Sequence, residues 1–415
     1  MTRAMPRIDA DRLWARLMAL AEIGATPAGG VNRQALSAGE IEAWRLLIGW
    51  AEAAGMQAST DPAGNLFLVL PGRDRGLPPL MMGSHIDTQP TGGKFDGAFG
   101  VLAALEAAES LDATPERDVV VVAWMNEEGS RFAPGMMGSE AFAGVRALEE
   151  VLAARDAAGT TVAEALATLQ AAFPHLPCRP LGFPIGFYLE PHIEQGPLLE
   201  QRGTPIGIVT GIQGKKTYEI AVEGAEGHAG TLDMADRRDA LAAFARMANA
   251  MFREVGAADP AVKFTIGMAR VEPNAPSVVP SRVTFRIDLR HPENAALDAF
   301  GTRLEALAEA HAPPCTVQVK VLVDAPSNEF DPDLRARIAA GAEALGHPAM
   351  PILSAAGHDA RHMAPLCPSA MIFIPCRGGV SHAEHEWAEP AHVAAGAAVL
   401  AEVAASLVLE EETAA

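Results

Sequence analysis

The feature of the sequence that most constrains its fold is a change in the order of predicted elements half-way along the 415-residue chain. Short apolar runs such as Leu66–Leu70 first alternate with helical stretches, which predicts an α/β fold with a mostly parallel sheet flanked by helices. Across residues 213–324 the order becomes strand, helix, strand, strand, helix, strand, as in a ferredoxin-like α+β sandwich. We therefore predict a larger domain formed by residues 1–212 and 325–415, interrupted by this inserted domain.

The balance of charges and the spacing of cysteines narrow the class of protein. Lysine and arginine total 32 against 52 aspartates and glutamates, and the net charge of −20 argues against a nucleic-acid partner. The four cysteines form no C-x-x-C pair, which is typical of reduced thiols in the cytoplasm. The first residues are charged, and no uninterrupted apolar stretch approaches ~20 residues. We therefore expect a cytoplasmic protein without a signal peptide or a membrane span.

Side chains that can bind metal recur where the apolar runs end. In chain order they are His85, Asp96, Glu127, Glu128, His192 and His382. Taken singly, each has an ordinary explanation as part of a polar loop, an N-cap aspartate, a solvated acid or a structural histidine. Their conjunction instead indicates a metal site. Mixed imidazole and carboxylate ligands suit zinc, manganese, cobalt or nickel better than calcium or magnesium.

The adjacent acids Glu127 and Glu128 follow the apolar run Val119–Val122. Neighbouring residues on a strand point to opposite faces, so both can serve one site only where the strand breaks, and Gly129 is the predicted break. One carboxylate can then bind metal while the other accepts a proton from a metal-activated water. Close by, Asp87 can hold the orientation of the imidazole two residues before it.

Several longer motifs together carry a family resemblance that runs from about Gly83 to Pro390. In chain order they are G-S-H-I-D-T, G-G-K-F-D-G, N-E-E-G-S-R-F, E-P-H-I-E-Q-G-P, G-H-A-G-T, G-H-D-A and S-H-A-E-H-E-W. The chain resembles the hydantoinase/carbamoylase family of zinc-dependent amidohydrolases, within the di-zinc aminoacylase and carboxypeptidase superfamily. That superfamily commonly has a carboxylate at the position of His192, and the histidine resembles the carbamoylase branch.

The resemblance implies two divalent metal ions per chain, zinc first among the candidates. It assigns one ion to His85, Asp96 and His192 and the other to Asp96, Glu128 and His382, with the aspartate shared. Glu127 would be the general base, and Asp87 would orient His85.

The resemblance also assigns roles to residues outside the metal ligands. His228 in G-H-A-G-T and Asn274 in E-P-N-A-P resemble residues that stabilise the oxyanion. Arg290 resembles the arginine that binds the substrate carboxylate, as the fork of a guanidinium is suited to do, although a surface salt bridge is its ordinary alternative. Gln195 resembles a further substrate contact.

The activity implied is hydrolysis of the ureido C–N bond of N-carbamoyl-L-amino acids to amino acid, carbon dioxide and ammonia. A β-ureidopropionase or an allantoate amidohydrolase is the alternative, a dipeptidase or aminoacylase is less favoured, and a catalytically silent binding protein would lack this set of ligands. The chain departs from the family pattern at Leu232-Asp233-Met234 and at Ser277. These departures bear on the substrate more than on the reaction.

The inserted domain is expected to act as a lid and as the surface of a homodimer. A ferredoxin-like sandwich leaves a sheet edge or face uncovered, and a second copy of the chain can cover it. The resemblance further implies a cis peptide between Asp96 and Gly97.

Overall fold

The computed structural model describes residues 6–409, which form two compact units. One unit runs to Gly211 and resumes at Glu329, and the other spans Ile212–Asn328. The change of pattern in the sequence therefore coincides with a change of packing unit. Each unit has its own hydrophobic core.

Fifteen strands lie within the described residues. They are β1 (Gln57–Thr60), β2 (Leu66–Leu70), β3 (Leu80–His85), β4 (Val119–Trp124), β5 (Phe187–Ile193), β6 (Ile206–Ile212), β7 (Gly214–Glu223), β8 (Gly227–His228), β9 (Lys263–Glu272), β10 (Val278–Val279), β11 (Arg282–His291), β12 (Thr316–Ala325), β13 (Asn328–Glu329), β14 (Ala349–Ser354) and β15 (Ser369–Ile374).

Twelve α-helices lie within the same part of the chain. They are α1 (Ala10–Glu22), α2 (Ala38–Ala53), α3 (Ala98–Glu109), α4 (Met137–Phe142), α5 (Leu148–Ala153), α6 (Val162–Ala172), α7 (Leu198–Arg202), α8 (Ala240–Met251), α9 (Asn294–His311), α10 (Pro332–Ala344), α11 (Ala360–Met363) and α12 (Pro390–Val408).

The larger unit is built on a nine-stranded sheet with the order β1-β2-β4-β3-β5-β15-β6-β13, to which β14 adds beside β6. The four central strands β4, β3, β5 and β15 are parallel, whereas β1 and β2 pair antiparallel at one side and β15 pairs antiparallel with β6. Every residue of β3, β4 and β15 is buried, which explains why these strands read as continuous apolar runs rather than alternating ones. The predicted mixed α/β fold with a mainly parallel sheet is confirmed.

Helices α3 and α12 pack against each other and against the central strands. Within residues 6–409, α12 alone is long and apolar enough to cross a membrane, but 61% of its most apolar window is buried in the fold. Val399, Leu400 and Val403 of this helix are almost wholly buried in the core. Its apolar character is therefore that of a core helix.

The smaller unit holds a four-stranded antiparallel sheet with the order β12-β7-β11-β9. Alternate residues of β7 are buried, among them Tyr218, Ile220 and Val222, so one face of the sheet supplies the core together with α8 and α9. Along the chain the main elements follow the order β7, α8, β9, β11, α9, β12. This is the βαββαβ order of a ferredoxin-like sandwich. Strands β9 and β12 are its two edges.

Glu40 in α2 makes the stability of the larger unit depend on pH. Its side chain is buried and accepts the backbone N–H of Leu36 at 2.5 Å, and burial raises the pKa of Glu40 to about 8, with repulsion from Asp87 adding to the effect. Because the folded state favours the neutral acid, the contribution of Glu40 to the free energy of unfolding is complete below about pH 4.3. It is lost as the pH rises through 8.

We predict that Glu40→Gln, which cannot ionise, is more stable than the wild type above pH 8 and loses less stability between pH 5 and pH 9. The difference should grow by up to about 1.4 kcal/mol per pH unit within this window. Denaturant unfolding at several pH values measures it, and Glu42→Gln on the exposed side of the same helix is the control. Parallel pH profiles for Glu40→Gln and the wild type would contradict the assignment.

Candidate active site

Four parallel strands bring the candidate metal ligands to one edge of the large sheet. His85 is the last residue of β3, His192 is the last but one of β5, and Glu127 and Glu128 follow β4 by a few residues. His382 lies in the loop after β15. Parallel neighbouring strands end at the same edge, where functional groups of α/β sheets collect. Residues separated by nearly 300 positions thus become neighbours.

Asp96, in the loop before α3, offers one carboxylate oxygen to two buried histidines. Its Oδ1 lies 3.2 Å from Nε2 of His192 and 3.6 Å from Nε2 of His85. The other ring nitrogen of each histidine faces a backbone carbonyl oxygen. Nδ1 of His85 lies 3.0 Å from the oxygen of Asp87, and Nδ1 of His192 lies 2.9 Å from the oxygen of Ile193. Those carbonyls favour a proton on each Nδ1, which leaves a lone pair on each Nε2. The Nε2 of His192 also accepts the backbone N–H of Gly97 at 3.2 Å.

The second oxygen of Asp96 faces a different group of candidate ligands. Nε2 of His382 lies 3.4 Å from Oδ2 of Asp96 and 3.3 Å from Oε2 of Glu128. Gln89 holds this glutamate in place through its side-chain Nε2 at 2.8 Å and its backbone N–H at 3.2 Å. In each triad the possible ligand atoms lie within 4.8 Å of one another. One carboxylate can therefore bridge two ions.

Glu127 lies beside both triads without belonging to either. Its Oε2 is 3.6 Å from Nε2 of His85. The strand has ended at Trp124, and Asn126 adopts the left-handed conformation with φ 55°, so the adjacent acids are released from the alternation of a strand. The break predicted at Gly129 thus comes three residues earlier. Gly129 also has a positive φ, 64°.

Asp87 makes different contacts from those predicted. Its carboxylate accepts the backbone N–H of Glu127 at 3.1 Å and that of Glu128 at 3.2 Å, which fixes the loop carrying both acids. The Oδ1 of Asp87 lies 3.6 Å from Nδ1 of His85, whereas the backbone oxygen of Asp87 lies 3.0 Å from the same nitrogen. The backbone oxygen of Asp87 is therefore its nearer contact with His85, and its carboxylate lies slightly farther away.

Buried negative charge dominates the site. Burial raises the pKa of Glu128 to about 8, with Asp96 adding repulsion, and burial followed by repulsion from Asp359 and Glu128 raises the pKa of Glu127 well above its usual range. Carboxylates packed this closely are stabilised by cations. The donor set and its surplus of negative charge fit two divalent ions.

The carboxylate of Asp96 has further partners. Nε2 of Gln195, predicted as a substrate contact, donates to Oδ2 of Asp96 at 2.8 Å, and Oγ of Ser381 donates to the same oxygen at 2.5 Å. Both Gln195 and His382 have positive φ, 55° and 54°, a conformation uncommon outside glycine. The Gln195 side chain therefore contacts a candidate ligand in this structure.

Sequence reasoning assigned no role to three residues around the triads: Ser381, Glu386 and His358, the last of which was interpreted as a structural histidine. Glu386 accepts the backbone N–H groups of Phe95 and Asp96 at 2.9 and 3.0 Å. The buried ring of His358 packs edge-on against that of His192, 4.5 Å between centroids. Glu386 and Ser381 both lie inside the S-H-A-E-H-E-W motif, so a signal existed, but nothing in the motif pointed to Asp96.

The peptide bond between Asp96 and Gly97 corrects one expectation. The cis bonds in the described residues precede Pro134, Pro273 and Pro314, and the Asp96–Gly97 bond is not among them, so the predicted cis peptide is wrong. The chain turns into α3 instead through Gly97 at φ 63°, a conformation that glycine adopts readily.

The remaining predicted residues lie in the smaller unit. His228 is exposed in the short pairing of β8 with β10, and its Nδ1 accepts the N–H of Gly230 at 3.0 Å. Asn274 is exposed with φ 57°. Arg290 is half-buried on β11, where its Nε and a terminal nitrogen donate to the carboxylate of Asp288 at 2.7 and 3.2 Å. The salt bridge considered for Arg290 is thus present within its own strand.

Comparison with known proteins identifies the family. Residues 81–406 match the peptidase family M20/M25/M40. The chain belongs to this family.

Individual M20 relatives extend the comparison over nearly the whole chain. An N-carbamoyl-L-amino-acid amidohydrolase of Rhizobium meliloti is 39% identical over 402 residues, 95% of each protein. An allantoate amidohydrolase of Escherichia coli is 34% identical and covers 92% of this chain and 94% of its own length. The crystal structure of a hydantoinase/carbamoylase family amidase from Burkholderia multivorans is 41% identical, with a TM-score of 0.86 over 97% of this chain and 99% of its own.

These relatives confirm the resemblance read from the motifs. They also establish the general activity, because the family and its amidohydrolase members define a hydrolase that acts on amide C–N bonds. The relatives divide between carbamoyl amino acids and allantoate, so the substrate is a separate question.

We predict that Gly97→Ala disrupts the first triad. A Cβ at this position would lie 2.4 Å from Cε1 of His85, so the imidazole must move away from Asp96. Bound metal should fall from about two ions to about one per chain, as measured by mass spectrometry of the purified protein. Gly144→Ala is the matched control, because Gly144 has a similar φ of 70° and nothing within 4 Å of the new methyl group. Equal metal loss in both variants would attribute the effect to backbone strain.

Proposed function

We propose that this M20 hydrolase binds two divalent ions and cleaves the ureido C–N bond of N-carbamoyl-L-amino acids, yielding the amino acid, carbon dioxide and ammonia. The observation that carries the proposal is the division of the Asp96 carboxylate between two triads, with Glu127 free beside them. The relative from Rhizobium meliloti, named for this activity, supports the choice of substrate.

The candidate ligands are His85, Asp96 and His192 for one ion and Asp96, Glu128 and His382 for the other. Bound divalent ions would lower the pKa of a water molecule and polarise the substrate carbonyl. Zinc is our first choice, with manganese, cobalt or nickel as alternatives that the same donors accommodate.

Glu127 is the proposed general base. Its carboxylate lies next to the imidazole of His85 but is not needed to complete either triad. In this role the carboxylate would accept a proton from the attacking water and then deliver it to the leaving nitrogen.

The substrate-binding roles proposed for the smaller unit rest on the chemistry of its side chains. The guanidinium of Arg290 matches the geometry of a carboxylate, and Asp288 holds that guanidinium in orientation through two hydrogen bonds. His228 and Asn274 offer N–H donors for the charge that develops on the carbonyl oxygen, and Gln195 can turn from Asp96 towards substrate.

We propose further that residues 213–324 form a lid and the dimerisation surface of a cytoplasmic homodimer. Each edge strand of their sheet, β9 and β12, has one side without a strand partner. Val321 and Leu322 on β12 and Met268 on β9 are exposed apolar residues. Pairing with a second copy would cover such a surface.

An allantoate amidohydrolase is the second candidate. The relatives from Escherichia coli and Bacillus subtilis that carry this name are 34% and 33% identical, close to the 39% of the first relative. Allantoate also carries ureido groups beside a carboxylate, so the candidate site would serve both. β-Ureidopropionate, with its carboxylate one carbon farther away, is the third substrate to compare.

Ammonia release from a panel of ureido acids tests the proposed substrate. We expect the highest kcat/KM for an N-carbamoyl-L-amino acid, with the D-enantiomer, allantoate and β-ureidopropionate well below it. N-Acetyl amino acids and dipeptides of the same side chain are the controls for aminoacylase and dipeptidase activity. A higher kcat/KM on allantoate would overturn the choice of substrate while leaving the amide-hydrolase class intact.

We predict that Glu127→Gln lowers kcat at least about 100-fold, the lower range for loss of general acid–base catalysis, while the protein keeps about two ions. Glu128→Gln is the matched comparison, because the adjacent acid belongs to a triad and its loss should remove about one ion. Metal content and kcat are measured on the same preparations. Loss of an ion from Glu127→Gln, or retention of a tenth of the activity, would contradict the assignment.

A further inference from the structure

Glu386 is almost fully buried, 2% exposed, although its side chain is in neither triad. Its Oε1 accepts two consecutive backbone N–H groups, those of Phe95 and Asp96. Its Oε2 lies 3.1 Å from Oγ of Ser381, which in turn lies 2.5 Å from Oδ2 of Asp96. Glu386 therefore holds the main chain at Asp96 directly. The hydroxyl of Ser381 lies between the two carboxylates and can donate its one hydrogen to either of them.

The loop before Asp96 is shaped to admit this glutamate. A Cβ at Gly93 would lie 2.1 Å from both Cδ and Oε1 of Glu386, closer than any real contact. The φ of Gly93 is not in the left-handed region, so a side chain is excluded there by the glutamate rather than by backbone conformation. Gly93 and Glu386 form one fitted pair, although 293 positions separate them in the sequence.

We propose that Glu386 is a positioning residue for the shared carboxylate of Asp96 and thereby sets the affinity of the chain for both ions. The inference rests on the two-ion site of the proposed function. Because Asp96 belongs to both triads, a shift of its carboxylate would weaken the binding of both ions. The loss of His382 or His192 would instead remove a ligand from one ion only. This double effect distinguishes positioning of Asp96 from local damage.

The hydrogen-bond pattern also predicts which substitution restores the function. In Glu386→Ala, the N–H groups of Phe95 and Asp96 lose their buried acceptor. In Glu386→Gln, the amide oxygen can still accept both N–H groups. The amide nitrogen can donate to Oγ of Ser381, which keeps its own hydrogen for Asp96.

We expect Glu386→Ala to bind zinc about 10- to 100-fold more weakly at both sites, the range found for residues that orient metal ligands. Titration of the full-length, metal-free protein with zinc against a competing chelator measures both affinities. Glu386→Gln should bind close to the wild-type protein, and Gly93→Ala should reproduce the alanine variant without removing a polar group. With saturating zinc, the kcat of both weakened variants should recover.

Two matched controls accompany these variants. Glu384→Ala removes a neighbouring glutamate in the same loop. The carboxylate of Glu384 accepts a hydrogen bond from the hydroxyl of Thr26 instead of from the turn at Asp96. Gly49→Ala adds a methyl group in α2, where nothing lies within 4 Å. Neither should change zinc affinity, and circular dichroism of the metal-free proteins verifies that every variant is folded.

Wild-type zinc affinity in folded Glu386→Ala would overturn the positioning role. If Glu386→Ala fails to fold, wild-type zinc affinity in Gly93→Ala would overturn the role instead. Glu386→Gln would also overturn it by binding zinc as weakly as a variant without the glutamate. A wild-type protein that takes up no divalent ion would overturn the proposed function itself. Two ions in the wild type and two equally tight ions in every variant would overturn only the inference about Glu386.

Discussion

The candidate active site depends on the carboxylate of Asp96, whose two oxygens face two different sets of ligands. Oδ1 is directed at the imidazoles of His85 and His192, and Oδ2 at His382. A single side chain is thereby shared by both candidate triads. Several surrounding contacts converge on this residue. The side chains of Gln195 and Ser381 donate to its carboxylate, and the side chain of Glu386 accepts its backbone N–H.

Charge and packing then act together. Close burial of Glu127 and Glu128 disfavours their charged forms, as the raised pKa values of the two glutamates indicate. Hydrogen bonds from Gln89 to the carboxylate of Glu128 and from Gln195 to that of Asp96 offset part of this cost. The scaffold therefore holds the acids ready for metal at the expense of local stability, which is common at functional sites.

Close packing of the parallel sheet makes this arrangement rigid. A Cβ at Gly100 would lie 2.3 Å from the carbonyl oxygen of Pro191, and one at Gly83 would lie 2.0 Å from that of Val122. Glycine at these positions lets α3 approach β5 and lets β3 lie against β4, which brings His85, Asp96 and His192 within reach of one another. The backbone, more than any side-chain contact, sets the distances between the strand ends.

The sequence alone predicts the alternation of buried strands and helices, the place where the βαββαβ segment interrupts it, and the candidate metal ligands. These are local properties, since periodicity and motifs lie within a few residues of one another. Three features come from the packing of distant segments: Asn126 releases the two glutamates from the strand, the Asp87 carboxylate binds their amides, and Glu386 and Gly93 fit together beside Asp96. The Asp96–Gly97 peptide, expected to be cis, belongs here too. Each of these features depends on which backbone groups distant segments present to one another, and a pattern of residue types along the chain does not contain that information.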